Sequence, residues 1–191
     1  MRTTRRSAGA APKPCAICRR PPNNRPEVPL ADPRITLRRQ GLGLAFLVIV
    51  LDQITKWWVL TDLMNPPRMI EVLPFANLVL VWNRGVSFGL FNTASVYGPW
   101  ILSALAIGVS AVLAVWLFRG PNRMVGWGIG LILGGALGNV IDRLVHGAVV
   151  DFVDLHVAGA HWPAFNVADS AITIGAGLLI LDSLFHRDKS S

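Results

Sequence analysis

Four long apolar runs, separated by polar or strand-like stretches, organise the chain: residues 41–60, 98–118, 124–145 and 165–185. At 1.5 Å per helical residue, about 20 residues cross the roughly 30 Å hydrocarbon layer of a bilayer. The first run is interrupted by Asp52, Gln53 and Lys56, and the second carries no charge. The third is glycine-rich and apolar until Asn139, Asp142 and Arg143, and the fourth is apolar apart from Asn166, Asp169 and Asp182. Between the first two runs, Ile70 to Trp82 roughly alternates and is rich in Val, Leu and Ile, which predicts one or two short strands; VVDFVDLHV at 149–157 reads the same way. The pattern predicts an all-α polytopic membrane protein of four transmembrane helices, with short strands in its loops. Six tryptophans (57, 58, 82, 100, 127 and 162) fall near the run ends, where an indole suits the membrane interface.

Composition supports this reading. Only 15% of the 191 residues are charged and 52% are hydrophobic, against roughly a quarter charged in a soluble domain. That excludes an ordinary soluble enzyme and a secreted disulfide scaffold. The net charge of +7 is not spread evenly: residues 1–40 hold ten Lys or Arg against two acids, residues 41–191 eight against nine. The basicity belongs to a tail without an apolar period, expected to be disordered, and it does not signal a nucleic-acid partner. Cys15 and Cys18 form a single CxxC there, whereas a zinc ribbon needs two such pairs, so they read as reduced thiols. Lys and Arg crowd the tail, the link Arg119–Arg123 and the C-terminal end 186–191, but residues 61–97 hold only Arg68 and Arg84, and 146–164 none. Both termini are thereby expected in the cytoplasm, with the loops 61–97 and 146–164 outside.

An ionisable group in hydrocarbon costs at least about 2.5 kcal/mol and so faces the bundle interior with a role. With this topology Asp52, Lys56, Asn139, Asp142, Arg143, Asp151, Asn166 and Asp169 all converge on the outer leaflet. Two carboxylates held close in low dielectric share a proton; one can then activate water while the other polarises a carbonyl. Asp151 and Asp169 are the pair selected by topology, since each sits where the chain enters or leaves the bilayer. The chain has no HExxH, no GxSxG and no glycine-rich phosphate loop, and no metal or other cofactor is expected.

DQITKWW (52–58), NRGVSFGLF (83–91), GGALGNVIDRLVHGAVVDFVD (134–154) and FNVADSAITIG (165–175) resemble, in order and spacing, the signature blocks of the lipoprotein signal peptidase (signal peptidase II) family. The resemblance spans residues 41–185. It implies a four-helix membrane bundle with a small extracytoplasmic β-cradle, in the bacterial inner membrane. It implies an aspartic endopeptidase that removes signal peptides from diacylglyceryl-modified prolipoproteins just before the lipidated cysteine, as a monomer whose partners are its substrates and membrane lipids.

The family's catalytic aspartates match Asp151 and Asp169. Asn139 and Arg143 match polar residues that bind the substrate backbone, and Asn166 is placed to hydrogen-bond a carboxylate or substrate. Asp52 and Lys56 match the DQxxK of the first helix, as substrate contacts or as an ion pair that orders the bundle. Asn83 and Gly85 match the NxG block, a substrate-facing turn in which glycine allows close backbone approach. Asp142 is expected to be a structural residue paired with Arg143. Asp154 competes with Asp151, but three residues along a strand put them on opposite faces, so only one can meet Asp169. His146, His156 and His161 read as outer-surface residues. A proton-coupled transporter would also bury Asp and Arg, but usually shows internal repeats, and a scaffold would not need carboxylates gathered at one depth.

Overall fold

The computed structural model describes residues 33–85 and 97–187; residues 1–32 of the basic tail, with its CxxC, and most of the 83–91 block lie outside them. Four helices among the described residues are long and apolar enough to cross a membrane. Helix α1 (Pro33–Trp58) ends in a π-helical turn, Val59–Leu63, and is followed by strands β1 (Ile70–Leu73) and β2 (Ala76–Asn83). Helices α2 (Gly98–Phe118) and α3 (Arg123–His146) come next, then β3 (Val149–Val157), β4 (Ala160–His161) and α4 (Val167–Arg187). Helix α1 starts eight residues before its apolar run, with a proline at its first helical position, where the ring's fixed φ and missing N–H cost nothing.

Helix α3 is the centre of the bundle and packs against the other three. It buries 61% of its apolar window against 17% for α2, and glycine makes this possible. A Cβ on Gly134 would lie 2.6 Å from the Ala45 carbonyl oxygen, one on Gly175 2.6 Å from that of Gly128, and Cβ atoms on Gly130 and Gly135 would collide with the backbone of Gly41 and Ala168. Such close approach is how helices associate where lipid supplies no hydrophobic drive. Asn122 caps α3, its Oδ1 accepting from Val125 N at 2.9 Å while its Nδ2 donates to Asp182 at 2.8 Å. Gly147, at φ +69°, supplies the left-handed residue that ends the helix.

The strands form one antiparallel sheet in the order β1-β2-β3-β4. Arg38 donates to the Phe118 carbonyl, so together with the Asn122–Asp182 contact the first turns of α1 and α3 and the last turns of α2 and α4 share one end. The sheet stands at the other, over a small core of Val59, Met64 and Phe152. The expected architecture of four membrane helices and a small sheet is the observed one.

Candidate active site

At the sheet end, β3 brings Asp151 against the first turn of α4 and the last third of α3. Asn166 precedes α4, and its Oδ1 accepts from Asp169 N at 3.0 Å while Asp169 Oδ2 accepts from Asn166 N at 3.3 Å. This reciprocal cap at N-cap and N3 locks both side chains to the helix end. Asn166 Nδ2 is thereby turned toward Asp151 Oδ1 (2.7 Å), the Val150 carbonyl (3.2 Å) and Asn139 Oδ1 (3.2 Å).

Asn139 completes the link. Its Oδ1 accepts from Asn166 and, at 3.1 Å, from Lys56 Nζ, so its Nδ2 is left to donate to Asp169 Oδ1 at 2.8 Å. Each aspartate therefore accepts from a carboxamide whose orientation is set by another partner. Asn83, diagonally across from Asp151 on β2, donates to Asp151 Oδ2 at 3.0 Å, and its Oδ1 accepts from Gly85 N. Asp151 is buried and Asp169 half-buried. Burial pushes the Asp151 carboxyl up to about 6, with the Asp169 charge adding to the rise and hydrogen bonds from Asn83 and Asn166 opposing it. An apolar cavity of about 420 Å³ opens beside Asp169, walled by Leu155, Trp162, Phe165 and Ile174.

Beneath the aspartates lies an ion-paired layer. Lys56 Nζ sits 2.7 Å from Asp52 and 2.9 Å from Asp142, all three buried. Asp52 also accepts from Ala168 N at 2.9 Å, capping α4 from across the bundle, and Asp142 accepts from Val150 N at 3.0 Å, fixing the start of β3. Gln53 bridges them, donating to Asp142 at 3.0 Å, to Asp52 at 3.3 Å and to the Gly138 carbonyl.

The expected partner of Asp142 is thus corrected. It pairs with Lys56 and not Arg143, because three or four residues separate neighbours on a helix face and adjacent residues point apart. Arg143 instead donates from Nη1 to the Asn139 carbonyl at 3.3 Å, and its buried Nε has no partner among the described residues. Gln53 was not singled out; its signal was a third polar residue in the same apolar run as Asp52 and Lys56. Asp154 lies apart from Asp169, bonded to Asn77 and His161. A Cβ on Gly85 would meet nothing within 4 Å, so the described chain does not require glycine there.

The signal peptidase (SPase) II family model matches residues 44–185. The chain belongs to the signal peptidase II family. Lipoprotein signal peptidases of Burkholderia thailandensis and Burkholderia mallei are each 51% identical to it over 144 residues, 75% of this chain and 86% of theirs. A solved bacterial membrane enzyme, obtained by the in meso method at 2.3 Å resolution, is similar at a TM-score of 0.70 and 31% identity, covering 80% of this chain and 92% of that one. The signal peptidase II match includes most of each of the four membrane helices, entering the first at residue 44, and every polar residue of the site.

Proposed function

We propose that the protein is an intramembrane aspartic endopeptidase that removes the signal peptide of diacylglyceryl-modified prolipoproteins, cutting just before the lipidated cysteine. The observation that carries this reading is the Asp151–Asn166–Asn139–Asp169 arrangement. Two carboxyls from different elements are joined through two linked carboxamides, and burial favours a proton on Asp151. Asp169, half-buried and facing the cavity, takes the proton from the attacking water. Asp151 gives the shared proton to the developing oxyanion of the scissile carbonyl, and as the C–N bond breaks Asp169 passes the water's proton to the leaving nitrogen while Asp151 regains its own from the intermediate's hydroxyl. Arg143, through its unpaired buried Nε, and the carboxamide of Asn139 bind the substrate backbone. Asp52 and Lys56 act from beneath, as an ion-paired layer that caps α4 and orients Asn139.

The excess of basic residues in the flanks of the opposite end supports a cytoplasmic location for both termini, with the aspartates at the outer leaflet of the bacterial inner membrane. A diacylglyceryl group, at about 0.8 kcal/mol per buried CH₂, holds the modified cysteine at that depth. The test uses purified protein in detergent with a lipidated and a non-lipidated prolipoprotein. Cleavage of the lipidated form alone, lost in Asp151→Asn, supports the reading; equal cleavage of both forms, or turnover by the variant, overturns it.

A further inference from the structure

Beyond the carboxamide-bridged site, the second polar cluster of the sheet is Asp154, Asn77, His156 and His161. Asp154 and Asn77 are buried and face each other across β2 and β3, with Asn77 Nδ2 donating to Asp154 at 3.1 Å. His161 Nδ1 lies 2.9 Å from both carboxylate oxygens. The hydrogen bond from His161 holds the Asp154 carboxyl below the usual carboxylate range, so the carboxylate only accepts and Nδ1 carries the proton.

This contact closes a weak element. Strand β4 has two residues, joined to β3 by the pairs His156–His161 and Val157–Ala160. The turn between them puts Ala158 at φ +50° and Gly159 at +82°, and the left-handed region is disfavoured for alanine. So short and strained a ladder frays unless a side chain ties it down. The next residue is Trp162, whose backbone N–H donates to the Leu155 carbonyl at 2.7 Å. Trp162, Leu155 and Phe165 wall the cavity beside Asp169.

We propose that His161 is a positioning residue for substrate binding: bonded to Asp154, it holds the β3–β4 hairpin so that Trp162 stands as one wall of the cavity beside Asp169. This rests on the reading of Asp169 as a group that acts on substrate. It assigns His161 no proton transfer. A defect at the pair therefore loosens the wall that substrate contacts and leaves the two aspartates in place.

The test is steady-state cleavage of a lipidated prolipoprotein by the full chain in detergent. His161→Ala is expected to raise KM about fivefold, the loss of one hydrogen bond at an exposed side chain, with kcat unchanged. His161→Asn, whose Nδ2 takes the place of Nδ1 and can still donate to Asp154, restores most of the loss. Trp162→Ala raises KM as well, and the double variant is no worse than the more affected single, since both act through the same wall. An unchanged KM in either His161→Ala or Trp162→Ala, a fall in kcat alone, or fully additive effects overturns the proposal. Should His161→Ala fail to fold, His161→Asn carries the test, and an unchanged KM in Trp162→Ala still overturns the proposal. Turnover by Asp169→Asn would instead defeat the peptidase reading, whereas a dead Asp169→Asn with an indifferent His161→Ala defeats only this one.

Discussion

The two halves of α3 solve the same problem by opposite means. From Val125 to Gly135 the helix is apolar, and glycines let the backbones of α1 and α4 come within contact of its own. From Gly138 to Arg143 it is polar, and it is held by charges and amides reaching across from α1, β3 and α4. In the first half the energy comes from close packing, which tolerates no added atom at Gly128, Gly130, Gly134 or Gly135. In the second it comes from mutual satisfaction of buried polar groups, which tolerates no missing one. Gly138 is the joint between them: a Cβ there would lie 2.7 Å from Asp52 Oδ2.

The comparison breaks most sharply where function is lost without structure. Asp151→Asn or Asp169→Asn is expected to lower turnover by about 10³-fold or more while each variant keeps its thermal transition in detergent. Loss of the folded state would mean that the aspartates belong to the structural layer below them.

In the apolar half, Gly135→Leu should prevent assembly of α3 against α4, because its Cβ already meets the Ala168 carbonyl. The check is the yield of monodisperse protein in detergent beside Gly43→Leu, a position where a Cβ meets nothing within 4 Å.

In the polar half, Lys56→Ala strands two buried carboxylates and should cost about 3 to 5 kcal/mol. Adding Asp52→Ala should recover part of it, and this recovery, read from thermal stability of the singles and the double, is what packing alone would not produce. Single changes that leave stability intact but abolish cleavage would move Asp52 and Lys56 to the substrate.

A smaller effect separates charge from packing by pH. Asp151 in the folded protein titrates at about 6, above its ordinary 3.8. Its protonated form therefore stabilises the fold fully below the ordinary value, and that contribution is lost as pH rises through about 6. The proposed mechanism needs that proton, so the alkaline limb of kcat/KM falls in the same range. Asn83→Ala removes a hydrogen bond that favours the ionised form, and should move this limb to higher pH. The smallest effect belongs to the far end, where Asn122→Ala removes the cap of α3 at a cost of about 1 kcal/mol, seen as a lower thermal transition with kcat/KM unaltered.

By itself the sequence determined the four membrane helices, the presence of strands in the two loops between them, and which polar residues lie within the apolar runs. Runs long enough to span a bilayer report directly on solvent, and polar residues are too costly in hydrocarbon to be placed there idly, so both were legible. Even the separation of Asp151 from Asp154 followed from strand alternation. Partnership was not legible, because it depends on contacts between residues far apart in the chain. Only the tertiary structure turned Asp142 from Arg143 to Lys56 and made Gln53 a bridge between two carboxylates. It also set Asn166 and Asn139 as the amides that join the aspartates. A carboxamide reads the same in sequence whichever way it faces; for Asn139, neighbours 27 and 83 residues away decide which end donates.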